Sequence, residues 1–513
     1  MVLGVITYRV PVLYLHVGFV AVFMLYRIFR TPELGVVTLF FAMPLLPTMA
    51  LVALVIYTAL CYLVKLFLGK RKFRFETVDV AALLFALVLA LSGVFSFSSG
   101  SMKPALVLVC FMGGYFLTVL LIRTEEWLTR CSWAAILSAS LVSLYGLFQY
   151  LTGTFGGAAA WIDSSMFEDI SVRVVSTLEN PNMLAEYLIL LFPLAAARLL
   201  TRGPRIGQAT ALCGAGVIGI CLILTWSRGA WLGLLFGGLV FLLIWNRRSM
   251  YLIFAGAASI PFLPLILPDS IIHRFTSIGN MADTSTSYRV NIWRGSVHML
   301  EDFWHCGIGV GEAAWDTVYP RYALAAIEMA PHSHNLYLQT WIESGLIGLV
   351  LLLAFLWLLC QANFSFYREL ADMRKTIVDS ISVTRLKPTA RGEEPTLRPT
   401  AVRQGGSDPA AAEKEITALR LYAAAPLCGI LATLVQGLTD YTWYNYRVYL
   451  MFWLTAGLSA AYVRRGRDEL AHIRQMALAR TDSPAEASAE IPLAPAPACK
   501  ARKTAKKGTA SHV

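Results

Sequence analysis

A chain of 513 residues that is 57% hydrophobic and only 15% charged falls well short of the roughly 25% charge of soluble domains, which excludes a string of them. Its net charge of +11 does not indicate nucleic acid, because the basic residues flank apolar runs or sit in the C-terminal tail, where they hold loops on the cytoplasmic side. The nine cysteines lie mostly inside apolar runs, without CxxC or Cys/His metal spacing, and read as small buried hydrophobes.

Met1 to Arg9 leads into an apolar run with no small-residue cleavage site, so an uncleaved first helix is expected. About twelve membrane spans follow from hydropathy, at 10–29, 42–66, 77–98, 103–123, 131–152, 181–200, 206–226, 229–246, 250–268, 336–362, 419–440 and 443–463. The stretch 34–67 carries Pro44 and Pro47, and reads as one kinked helix or as a half-helix plus a span. If the helices alternate, Lys65, Lys70, Arg71, Lys72, Arg74, Arg123, Arg130, Arg198, Arg202, Arg205, Arg247 and Arg248 all fall on one side, with the linker 363–418 and the tail from Arg464. That side is then cytoplasmic, and both termini lie inside. The outer connections are 153–180, the turn at Ser227 and Arg228, the long segment 269–335 between spans nine and ten, and 441–446. The stretches 368–415 and 482–513, poor in large apolar residues, read as disordered. The expected fold is an all-α polytopic membrane protein with a large extracytoplasmic loop.

That loop holds five of the eight histidines (His273, His298, His305, His332, His334) and Arg274, Arg289, Arg294 and Arg321. A plain connector needs only a few residues, so the loop is expected to be functional. Tyr288 to Trp304 predicts a helix with Trp293, Val297, Leu300 and Trp304 as its apolar stripe, ended by a stop and turn at Gly307, Gly309 and Gly311. Arg228, between Ser227 and Gly229, reads either as an interfacial arginine that snorkels or as a ligand for an anionic headgroup. His334 opens span ten, as a polar cap or as a base that takes a proton from a hydroxyl. Arginines for phosphate and a histidine for a sugar hydroxyl, both on the outer face, suit glycosyl transfer from a lipid pyrophosphate. No acidic pair suggests a metal site, so arginines would take the place of a cation.

The chain resembles the O-antigen ligase and O-antigen polymerase superfamily of bacterial membrane glycosyltransferases over roughly 170–360. The resemblance rests on Arg173-x-x-Ser176-Thr177-Leu178-Glu179-Asn180-Pro181-Asn182, Ser227-Arg228-Gly229-Ala230-Trp231-Leu232, Tyr288-Arg289-x-x-Ile292-Trp293, Gly307 to Gly311, and His334-Asn335-Leu336-Tyr337-Leu338-Gln339. Two family spacings recur, R-x3-L as Arg228 to Leu232 and H-x10-G as His334 to Gly345. The resemblance implies a cofactor-free, metal-independent, inverting transfer of a glycan from undecaprenyl pyrophosphate to a glycan or glycolipid acceptor at the outer face of the bacterial cytoplasmic membrane. It implies that Arg228 and Arg289 hold the pyrophosphate, that His334 is the general base, and that Arg173 is a further donor-binding candidate. Asn180 and Asn182 read more readily as caps of span six than as sugar ligands. Asp440, Tyr441, Trp443 and Tyr446 read as interfacial residues or as sugar contacts. The resulting division is transmembrane helices and an outer loop at 1–180, a ligase-like core at 181–362 containing loop 269–335, a disordered cytoplasmic linker at 363–418, the last two spans at 419–463, and a basic disordered cytoplasmic tail at 464–513. A transporter or flippase of lipid-linked sugars is the alternative; it predicts charged groups at mid-membrane, whereas Glu186 and Glu343 lie near the outer ends of spans.

Overall fold

The computed structural model describes residues 12–70, 73–154, 173–201, 203–246, 248–265, 268–276, 279, 284–324, 327–385 and 409–481. Arg71, Lys72, Arg202, Arg247, most of the outer connection 153–180, and the predicted disordered stretches 386–408 and 482–513 lie outside these residues. The described residues are helical and contain no strand. The chain forms two compact units, Met1–Asp468, which carries the helix bundle and the site, and Glu469–Val513.

The helices are α1 (Val12–Arg30), α2 (Glu33–Ala42), α3 (Thr48–Phe67), α4 (Thr77–Val94), α5 (Met102–Leu121), α6 (Glu125–Thr152), α7 (Pro181–Leu200), α8 (Arg205–Leu224), α9 (Arg228–Trp245) and α10 (Ser249–Ser259). They continue with α11 (Asp269–Thr276), α12 (Thr284–Phe303), α13 (Glu312–Val318), α14 (Leu336–Arg385), α15 (Pro409–Gln436) and α16 (Tyr446–Thr481). Among the described residues nine helices are long and apolar enough to cross a membrane: α3 to α9, α14 and α15. Large apolar side chains such as Phe19, Leu60, Leu83, Leu235 and Trp357 face outward from this bundle, the surface that hydrocarbon covers and water does not.

One open reading is decided and two expected elements differ. The stretch 34–67 takes the half-helix form: α2 is ten residues long and the chain breaks at Met43–Pro47 before α3 starts, because Pro44 and Pro47 cannot continue a helical ladder. The span expected at 250–268 is the eleven-residue α10 followed by a 3-10 turn at Ile260–Leu265. The disorder expected at 363–418 and from 464 is replaced by helix where the chain is described, since α14 runs on to Arg385, α15 starts at Pro409 and α16 reaches Thr481. On the first of these extensions Glu369 pairs with Arg467 at 3.3 Å.

Helix α16 has a special place. Every residue from 448 to 464 is buried, so protein surrounds it on all sides. A helix shielded in this way contacts little lipid and tolerates Thr455, Ser459 and Arg464 in its length. Arg464 donates to Asp79 on α4 at 2.6 and 2.7 Å. At the other end of α4 the Ser92 hydroxyl donates to the Glu343 carbonyl. The two ends of α4 therefore mark two ends of the bundle. The Asp79 end gathers Arg74 with Asp468, Lys65 with the Arg30 carbonyl, and Arg464. The Glu343 end gathers the polar loops.

At that end the glycine-rich segment makes a latch. Helix α14 is broken at Gly345, where φ is +70°. The carbonyls of Ile342 and Glu343 turn to the N–H groups of Ile308 (2.8 Å) and Gly309 (3.1 Å), and the N–H of Leu346 donates to the Trp304 carbonyl (2.9 Å). A Cβ on Gly345 would meet the His305 carbonyl oxygen, so only glycine allows both the left-handed turn and the close approach. The stop and turn expected at Gly307–Gly311 is thus present, and it also pins segment 303–311 to α14.

The long loop is ordered into α12 and α13 where it is described. The buried face of α12 carries Ile292, Ser296 and Met299, packed with Trp315, Tyr319 and Ile342. The expected stripe is corrected in phase: Leu300 is buried, but Val297 and Trp304 are 56% and 50% exposed, because the helix leans on α13 and α14 through the neighbouring residues.

Candidate active site

The loop that enters α14, Pro331 to Asn335, is stitched to the loop that leaves α15. Asn335 caps α14 by accepting the Leu338 N–H at 2.9 Å, and its amide donates to the Leu438 carbonyl at 2.8 Å. The Leu336 N–H donates to the Gly437 carbonyl at 2.7 Å. These bonds hold His334 at φ +50°, a left-handed conformation that a non-glycine residue adopts only when its surroundings impose it.

Asp440 is the centre of what this loop pairing assembles. Its Oδ1 is 3.0 Å from His334 Nδ1 and accepts the Tyr441 N–H at 3.0 Å. Its Oδ2 accepts from the Asn182 amide at 3.1 Å and lies 3.6 Å from the Arg289 guanidinium. Burial alone would raise the Asp440 carboxyl, but the His334 hydrogen bond and the Arg289 charge outweigh it and hold the group well below the usual carboxylate range. An ionised Asp440 accepts the N–H of His334 Nδ1 and leaves the lone pair on Nε2. His332 stands beside it, with ring centroids 4.2 Å apart. The His334 N–H donates to His332 Nδ1 at 3.1 Å, so the His332 proton is on Nε2. Burial, then the adjacent His334, lowers the His332 imidazole to about 3, and this ring is neutral at physiological pH.

Of the four residues singled out in the sequence, His334 and Arg289 meet directly through Asp440. Arg289, one turn into α12, also donates to Ser285 at 3.3 Å. Arg173 reaches the cluster indirectly: its guanidinium donates to the Thr225 carbonyl (2.8 Å) and to Asn182 Oδ1 (2.7 Å), and the side chain is buried. Arg228 is the first residue of α9 and half-buried. The following Gly229 abuts Thr439, since a Cβ there would lie 2.8 Å from Oγ1. The α9 N-terminus therefore faces the loop that carries Asp440. Asn180 is the α7 cap, accepting from the N–H groups of Asn182 (2.8 Å) and Met183 (3.4 Å). Asn182 is corrected from a cap to the bridge between Arg173 and Asp440. Tyr441 and Trp443, read as interfacial belt residues, are buried in protein.

The sequence reading missed a second group of polar residues. Glu343 accepts from Gly311 N–H (3.2 Å), Gln339 (3.0 Å) and Tyr441 (3.3 Å), and Gln339 in turn accepts the Ser333 N–H at 2.8 Å. Glu343 thus ties the glycine latch to the histidine loop. Its signal was a lone acidic residue in an otherwise apolar span. His332, His334 and Asp440 carry donor atoms within 4.8 Å of one another, a spacing that a cation would fit. Their Nδ1 and carboxylate atoms are already engaged in the hydrogen bonds above, and the Arg289 charge opposes a cation there.

A cavity of about 740 Å³ opens beside His332. Residues 213–353, from α8 into α14, match the family model described as O-antigen ligase, and the match spans Arg228, Arg289 and His334. No curated protein matches the chain.

Proposed function

Because residues 213–353 place this chain in the O-antigen ligase superfamily, we propose that it is a membrane glycosyltransferase that moves a glycan from undecaprenyl pyrophosphate to an acceptor hydroxyl. The observation that carries the reading is the Arg289–Asp440–His334 assembly, in which a carboxylate holds an imidazole with its Nε2 lone pair available beside a guanidinium. In the proposed step His334 Nε2 takes the proton of the acceptor hydroxyl. The hydroxyl oxygen attacks the anomeric carbon on the face opposite the diphosphate. The bond from that carbon to the pyrophosphate oxygen breaks, and its electron pair leaves with the diphosphate. A single displacement of this kind inverts the anomeric centre.

Arg289 and Arg228 receive the charge that develops on the leaving group. The N-terminus of α9, which begins at Arg228, adds a positive dipole end there. Arg173 supports the site through Asn182 rather than by touching the donor, because two of its donors are spent on the protein. Guanidinium groups in these positions do the work of a cation, which makes the transfer metal-independent. The basic Asp79 end of the bundle is assigned to the cytoplasm and the site to the outer leaflet, in the cytoplasmic membrane of a bacterium, with both termini inside.

The test is transfer by detergent-purified protein supplied with undecaprenyl-pyrophosphate glycan, alone and with candidate acceptors, with and without EDTA. Turnover indifferent to EDTA, and reduced about 10²- to 10⁴-fold in a folded His334→Ala variant, is expected for a lost general base. Growth from donor alone identifies a polymerase, and transfer that needs an added acceptor identifies a ligase. An unconsumed donor with folded wild-type protein overturns the reading in favour of transport, and normal turnover by His334→Ala overturns the base.

A further inference from the structure

The 740 Å³ cavity is lined by neither His334 nor Arg173, Arg228 or Arg289. His332 does line it, and its ring centroid lies 4.2 Å from that of His334, whose Nδ1 Asp440 holds. The charges of its exposed wall are the carboxylates Glu179 and Glu312 against the single cation Arg447. That balance does not favour a diphosphate. Carboxylate and phenol groups with an aromatic face are instead what binds neutral sugar hydroxyls: here Glu312 and Tyr444, whose ring is 4.6 Å from that of His332. The opposite wall is the apolar break Pro44–Pro47 between α2 and α3, where Leu45 is half-exposed. The volume lies within the ~300–1,000 Å³ of small-molecule sites.

We propose that this cavity is the acceptor subsite, taking the terminal sugar of a neutral saccharide carried on a lipid whose chain passes along the Pro44–Pro47 wall. The proposal rests on the transferase reading above and gives that site its second half. Donor and acceptor then meet at the histidine pair. The His332 Nε2–H, on a ring that lines the cavity, donates to an oxygen of the acceptor sugar, while its neighbour His334 takes the proton of the attacking hydroxyl.

The test has a readout independent of turnover. A photoreactive alkyl glucoside is crosslinked to the full-length protein in nanodiscs and the labelled peptides are mapped. Labelling at 44–48 and 441–447 is expected. It should fall about tenfold, the value of one hydrogen bond to a charged group, in Glu312→Gln or Tyr444→Ala and persist in Arg289→Ala. Tyr444 is 37% exposed, so its truncation spares the fold. In transfer assays the same two variants should raise KM for acceptor about tenfold and leave KM for donor unchanged. Labelling elsewhere, labelling insensitive to both variants, or a raised donor KM with unchanged acceptor KM overturns the proposal. If the glucoside labels as expected while wild-type protein consumes no donor, the transferase reading fails and the saccharide site stands.

Discussion

Asp440 spends both carboxylate oxygens on holding other side chains: His334 on one, Asn182 and Arg289 on the other. An amide in its place keeps the shape but presents either a carbonyl or an NH2 to the imidazole, and loses the charge that favours the developing imidazolium. Asp440→Asn should lower kcat about 10²- to 10⁴-fold, with little change in KM for either substrate and with wild-type thermal unfolding. A variant that turns over at the wild-type rate would remove the orienting role. Arg228 and His334 could be singled out in the sequence because each sits in a short polar stretch at the edge of an apolar run, and Arg289 through the family resemblance. Asp440 was not, because its partner lies 106 residues away and no local pattern links the two. Asn182 was misread for the opposite reason: Asn-Pro-Asn before a helix is a strong local signature for a cap, and only the first of the two asparagines satisfies it.

At the scale of single elements, the glycine latch makes the plainest prediction. Gly345→Ala forces a Cβ onto the His305 carbonyl in a left-handed conformation, which costs about 1–2 kcal/mol for the backbone alone before the clash is counted. The purified variant should melt several degrees lower and lose activity more than in proportion, since Glu343 and Gln339 connect the latch to the histidine loop. An unchanged melting curve would show that the break in α14 does not depend on glycine. Hydropathy drew 336–362 as one unbroken span, because a glycine inside an apolar helix is a weak local signal. The reason for this one is a carbonyl forty residues upstream. The phase error on α12 has a similar origin. Trp293, Val297 and Trp304 are the most apolar spacing on that helix, yet its packing partners α13 and α14 select the face with Ile292, Ser296 and Met299, and sequence periodicity does not contain the partner's position.

For the molecule as a whole, charge along the chain was the most informative signal. Among the described residues, Lys65, Arg74 and Arg464 gather at the Asp79 end of the bundle, and the histidine loop lies at the other. Cysteine labelling tests the assigned orientation. In a background with Cys213, Cys306 and Cys499 changed to serine, Tyr444→Cys should react with a membrane-impermeant maleimide on intact spheroplasts, and Asp468→Cys only after permeabilisation. The reverse pattern would turn the protein over in the membrane. The number of spans was less legible, because hydropathy weighs apolar content and not surroundings: α10 is apolar but short, whereas α16 is long but carries polar groups that only a protein environment accommodates.

The burial of α16 also bears on how the protein is made. The enclosed helix leaves the ribosome after every other described helix, so the earlier helices enter the membrane around a place that is still empty. Until Tyr446 to Arg464 arrives, Asp79 faces that gap without Arg464. A chain released before that helix is made would be an inserted but hollow bundle, exposed to membrane proteases.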